Sequence, residues 1–127
     1  MRTEPITGSA SNLLDEARVN EIVKLMREAG DDAFEGLISG MRNDIDGFQA
    51  LLGSATIDEV AVGRTAHGLK GACRSLGAAA LGDLYAECER LAKTGETTEI
   101  QRRHADNQML IADSLAALRA AAAAAVD

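Results

Sequence analysis

Apolar residues return every three or four positions in five successive stretches of this chain, and capping or glycine signals separate them. Val19, Ile22, Val23, Leu25 and Met26 predict a first amphipathic helix from about Leu13 to Ala29. Gly30 suits the left-handed conformation that ends a helix, and Asp31 or Asp32 can cap the next one. Phe34, Leu37, Ile38, Met41, Ile45, Phe48 and Leu52 then mark a second helix that stops near Gly53. Thr56-Ile57-Asp58-Glu59 reads as a capping box opening a third helix, whose stripe is Val62, Ala66, Leu69, Ala72, Cys73 and Leu76. That helix ends at Gly77. Leu81, Leu84, Tyr85, Cys88, Leu91 and Ala92 carry a fourth, which ends at Gly95. Thr98-Glu99-Ile100-Gln101 is a second capping box and starts a last helix anchored by Ile111, Leu115 and Leu118.

Short, glycine-marked turns between the last four helices predict antiparallel neighbours, with the first helix as a lid across one end or a short arm. The expected fold class is all-α: an antiparallel four-helix bundle with an additional N-terminal helix. Residues 1–12 are expected to be a flexible N-terminus and residues 13–127 one domain. The alanine run from Ala120 to Ala125 favours helix but offers little to pack, so it is expected to fray. There is no internal repeat.

Composition supports this picture. Beta-branched residues are few, and Phe34, Phe48 and Tyr85 are the only aromatics, so the core is aliphatic with Met and Cys as fillers. A net charge of −7 argues against nucleic acid or an anionic membrane as a partner. No stretch reaches the roughly 20 apolar residues of a membrane span. Met1 to Ser11 lacks the apolar segment of a secretion signal, and Cys73 and Cys88 read as reduced core residues. A cytoplasmic location is expected.

One side chain in the third helix breaks the pattern. Helical residues lie ~100° apart, which puts His67 roughly 160° from Leu69, in water. Arg64, Lys70 and Arg74, at i−3, i+3 and i+7, share its side, as does Gly71 at i+4. Phosphoryl chemistry on histidine asks for such features. The ring must be exposed to a donor that is itself a protein site, and neutral, as an ordinary imidazole mostly is near pH 7. Cations nearby can hold phosphoryl oxygens. Gly68 and Gly71 each cost ~1 kcal/mol relative to alanine in a helix interior. Steric room explains that cost, with Gly71 removing a side chain that would crowd the ring. The same residues also fit a merely solvated helix face, or glycines that let another helix approach.

Ala66-His67-Gly68-Leu69-Lys70-Gly71, followed by Leu76-Gly77-Ala78 and by Leu81, Leu84 and Cys88, resembles the histidine-containing phosphotransfer (HPt) family. The likeness extends loosely from about Asp15 to Leu118. The resemblance implies an antiparallel four-helix bundle with an N-terminal helix, in agreement with the helix count above. It implies that His67 is the phosphoacceptor, Lys70 its phosphate-supporting lysine and Gly71 the small residue beside the ring. Arg64 and Arg74 would add support. Glu89 would correspond to a polar residue of the following helix that orients the imidazole or a water. Two positions depart from the common pattern: Ala72 stands where many members have serine, and Gly68 where many have a larger residue.

The reaction so implied is reversible phosphoryl transfer between His67, at Nε2, and the aspartates of receiver domains, those of a hybrid histidine kinase and of response regulators. Val60, Gly68 and Gly71 would meet the receiver. The divalent metal belongs to the receiver, and this chain needs no cofactor. Without a nucleotide-binding motif it is expected to be a free-standing relay intermediate with no kinase activity of its own, and a monomer. Two other readings use the same helices. The dimerisation and phosphoacceptor domain of a sensor kinase typically has an acidic residue after the histidine, where Gly68 stands here. A non-catalytic adaptor bundle would not need His67, Lys70 and Gly71 together. His104, lacking a Glu-x-x-His spacing, reads as a buried histidine with a satisfied hydrogen bond rather than a metal ligand.

Overall fold

Two aspartates begin helices by the same device, and one of those helices carries His67. In the computed structural model, which describes residues 13–30 and 32–124, six helices and no strand occur among the described residues. They are α1 (Glu16–Arg27), α2 (Ala33–Leu52), α3 (Glu59–Leu76), α4 (Ala79–Lys93), α5 (Thr97–Asp106) and α6 (Gln108–Ala124). The Asp15 carboxylate accepts the Arg18 amide at 3.2 Å, and the Asp58 carboxylate accepts the Ala61 amide at 3.0 Å. Each satisfies a first-turn N–H that lacks an intrahelical partner.

Helix α3 stops at Gly77, whose φ of 87° is left-handed. The amide of Ala78 reaches back to the Cys73 carbonyl at 2.8 Å, closing the last turn. A Cβ at Gly77 would also lie 2.5 Å from Val19 Cγ2, so glycine is required there for both its dihedral and its size. Helix α1 is fastened at this same point. The Asp15 amide donates to the Gly77 carbonyl at 2.8 Å, and Arg18 Nε donates to the Ser75 carbonyl at 2.9 Å. An arginine there satisfies an orphan carbonyl and faces the negative end of the α3 dipole. Helix α1 therefore braces the end of α3 while packing against α2 and α6 as well.

Contacts along the helices set their directions. Gly63, His67 and Arg74 of α3 meet Ala92, Glu89 and Asp83 of α4 in turn, so the two run antiparallel. Leu52, Gln49 and Glu35 of α2 likewise meet Gln101, His104 and Arg119 of α5 and α6. The interior between them is aliphatic, with Ile38, Val62, Leu81, Ile100, Leu115 and Leu118 fully buried. At one level the packing is aromatic: Phe48 stands edge-on to Tyr85 and His104, with centroids 5.4 and 5.0 Å away.

Several local expectations are corrected. Asp58, not Thr56, caps α3, because it stands immediately before the first helical residue, where its carboxylate reaches the Ala61 amide. Thr98 lies inside α5, whose cap position is Glu96 with no side-chain bond. The expected single last helix is two. Asn107 interrupts it, its side chain donating to the Arg103 carbonyl at 2.7 Å while Gln108 Nε2 takes the His104 carbonyl at 2.9 Å. Side-chain amides there replace backbone donors and turn the chain. Helix α1 starts at Glu16, with Leu13 and Leu14 buried ahead of it. Leu25 is exposed, and so is Ala72 of the α3 stripe. Asp32 holds the α2 cap position without a side-chain bond. Asp31, residues 1–12 and the end of the alanine run, 125–127, lie outside the described residues.

Candidate functional site

Val62, Ala66, Leu69, Cys73 and Leu76 all face the interior, which rotates His67 outward on α3. Its side chain is 68% exposed. The ring is nevertheless held. Glu89, projecting from α4, places Oε2 2.9 Å from His67 Nδ1 and Oε1 2.7 Å from Lys70 Nζ. One carboxylate thus brackets two α3 side chains a helical turn apart. A carboxylate only accepts, so the hydrogen-bond network assigns the ring proton to Nδ1. Nε2 is left as the unprotonated nitrogen, with no bond to it among the described residues.

The electrostatics agree with the geometry. The Lys70 ammonium, and after it the His67 ring, hold the Glu89 carboxyl below the usual carboxylate range. Glu89 is only 16% exposed and Lys70 26%, so both are shielded from water more than an ordinary surface pair.

The other sequence-predicted residues separate into two groups. Arg64 is exposed on the His67 side, with no ion pair among the described residues. Arg74 is engaged elsewhere: its guanidinium pairs with Asp83 at 3.3 Å and its stem lies over Gly82. Val60 is 68% exposed on the same face. Gly71 requires a correction. A Cβ at Gly71 or Gly68 would meet nothing within 4 Å, because the ring leans toward Glu89 on the other side. An alanine at either position would therefore not crowd the ring, and the open space lies outward.

Sequence reasoning missed Gly63, Ala92, Lys93 and Asp83. Val60, Gly63 and Ala92 floor a shallow groove beside His67, and Glu59, Arg64 and Lys93 edge it. Ala92 approaches the backbone so closely that a Cβ on Gly63 would sit 3.4 Å from its own. Lys93 stands at i+4 from Glu89, a spacing that would have placed it near the site had Glu89 been fixed first. Asp83, the partner of Arg74, lies one α4 turn and a half from Glu89 and had no local signal.

His104 is 1% exposed. Nε2 sits 2.9 Å from the Tyr85 hydroxyl and Nδ1 3.0 Å from Gln49 Oε1, so both nitrogens are partnered. Among the described residues no group of three His, Cys, Asp or Glu side chains is placed to hold a metal ion. Nor is any described helix long and apolar enough to cross a membrane.

One exposed face thus carries a ring nitrogen without a hydrogen bond among the described residues, a carboxylate on the other ring nitrogen and a cation one turn away. Neither the curated proteins nor the solved structures include a significant match to the chain. The family model of the Hpt domain matches residues 32–121, from the cap of α2 into α6. That span is more than half of the sequence and holds His67, Lys70, Gly71 and Glu89, and the chain belongs to the Hpt domain family.

Proposed function

We propose that this chain is a free-standing phosphorelay carrier that takes a phosphoryl group onto His67 Nε2 from one receiver-domain aspartate and passes it to another. Membership of the Hpt family implies histidine phosphotransfer and receiver-domain partners. The observation that carries the residue assignment is the Glu89 bond to Nδ1, which leaves Nε2 free on an exposed ring.

In the forward step the Nε2 lone pair attacks phosphorus in line. The bond to the aspartyl oxygen breaks and its electron pair stays on the receiver's carboxylate. The transition state is loose and its charge spreads over the phosphoryl oxygens. Lys70, tied to His67 through the shared Glu89, can receive that charge, and Arg64 can join it; Arg74 contributes only by leaving Asp83. Val60, Gly68 and Gly71 offer the receiver a surface without bulky polar groups. The receiver supplies the divalent metal, and this chain binds no cofactor and has no kinase activity. It acts as a cytoplasmic monomer.

A phosphorylated receiver incubated with the protein is expected to give an acid-labile label on wild type and none on His67→Gln; label persisting in the variant would refute the assignment. Lys70→Ala is expected to fold but to slow single-turnover transfer by about tenfold or more. An unchanged rate would remove Lys70 from the chemistry.

A further inference from the structure

Glu89 uses its two oxygens on two different partners, and phosphorylation changes what both partners need. Before transfer, Oε2 takes the Nδ1 proton of His67 and Oε1 takes Lys70. After Nε2 has bonded to phosphorus, a ring that keeps its Nδ1 proton is a cation. A ring that loses that proton is neutral and would have to depart as imidazolate, a far poorer leaving group. Which form persists decides whether the carrier can give up its load.

We propose that Glu89 keeps the proton on Nδ1 of phosphorylated His67, while Lys70 leaves Glu89 for the phosphoryl oxygens, so that transfer in either direction moves no proton. Glu89 is then a positioning residue whose charge works through the ring. The inference rests on the phosphocarrier reading above and specifies how its site is regulated.

The geometry supplies each part. A carboxylate 2.9 Å from Nδ1 and largely shielded from water favours the charged ring. Lys70 lies at i+3 on the His67 side of α3 and is tethered only by Glu89 among the described residues. A phosphoryl group brings about two negative charges and three acceptor oxygens, enough to draw the ammonium across. The release also frees Glu89 Oε1, so the whole carboxylate charge is left to the ring. The remaining charged groups around the groove are Arg64 and Glu59 from α3 and Lys93 from α4. None of them is bonded to His67 or Glu89. In the return step the N–P bond breaks, its electron pair goes back to Nε2, and the neutral Nδ1–H ring is restored against Glu89.

Phosphoramidate-loaded protein, followed by 31P and 15N NMR across pH, tests this. The pH midpoint of the phosphohistidine ring is expected to fall by about one to two units in Glu89→Gln. It should rise in Lys70→Met, where no ammonium neutralises the phosphoryl charge beside the ring. Onward transfer to a receiver by Glu89→Gln is expected to match wild type near pH 6 and to lag about tenfold near pH 9. Equal midpoints in wild type and Glu89→Gln, or shifts of the same sign in both variants, would overturn the proposal alone. Failure of wild-type His67 to accept phosphate from phosphoramidate and from a receiver alike would overturn the phosphocarrier reading, and the proposal with it.

Discussion

The two histidines show how much position decides at the scale of single residues. His67 and His104 carry the same side chain, yet one is 68% exposed and the other 1%. Helical angle alone foretold the exposure of His67, because 100° per residue fixes which side of a stripe a residue occupies. The bond that readies His67 was less legible. Glu89 stands 22 positions along the chain on another helix, and only the register between α3 and α4 brings it to Nδ1. Spacing within a helix is written in the sequence; register between helices is set by packing. The cysteines belong to this scale too. Burial pushes the thiols of Cys73 and Cys88 up to about 12 and about 11, which denies both the reactive thiolate. Iodoacetamide near pH 8 is expected to leave native protein unmodified and to alkylate both cysteines in urea, as read by intact mass; rapid native labelling would contradict their placement.

At the scale of elements, the apolar period found the helices but not always their ends. Gly77 was readable because its left-handed φ and its contact with Val19 leave no other residue possible. Thr56 and Asp58 offer competing caps for α3, and local sequence does not choose between them. Ile100 and Ile111, eleven residues apart, would fall on one side of an unbroken helix, so the apolar pattern does not mark the break at Asn107; its cause is a set of side-chain amides bonding to carbonyls. Helix α3 also carries a cost without an internal return. Gly71 has ordinary helical dihedrals and open space where a Cβ would stand. Gly71→Ala is therefore expected to stabilise the fold by up to ~1 kcal/mol, measured as a higher urea midpoint. If the glycine serves a docking receiver, the same variant will accept phosphate from a receiver more slowly and from phosphoramidate at the wild-type rate. A variant that is both more stable and equally fast with the receiver would remove Gly71 from the docking surface.

At the scale of the whole molecule, His104 is a buried junction between helices. Its ring joins four helices: Gln49 and Phe48 of α2, Tyr85 of α4, its own α5, and α6 through Gln108, which bonds to Gln49 Oε1 at 3.3 Å. Because Gln49 Oε1 only accepts, Nδ1 carries the proton and Nε2 takes the Tyr85 hydroxyl hydrogen. A second ring proton would face the same hydroxyl and strand its hydrogen in the interior, with no carboxylate bonded to the ring to stabilise the cation. Burial accordingly holds the His104 imidazole below its ordinary value of 6.5. The unfolded chain then takes up the proton more readily than the folded one. The stabilisation is fully present above pH 6.5 and declines as pH falls through that value toward the lower folded one. A single proton sets the limiting slope at ~1.4 kcal/mol per pH unit. Carboxylates held low in the fold, such as Glu89, lose their contribution only at more acid pH, below their ordinary 4.5. Urea unfolding between about pH 7.5 and pH 5, compared in wild type and His104→Gln, therefore separates the contribution of the buried ring. Wild-type midpoints are expected to drop across that window, and His104→Gln to be less stable at the top of it but nearly flat. Equal slopes in the two proteins would mean that the buried ring is not what ties the bundle's stability to pH.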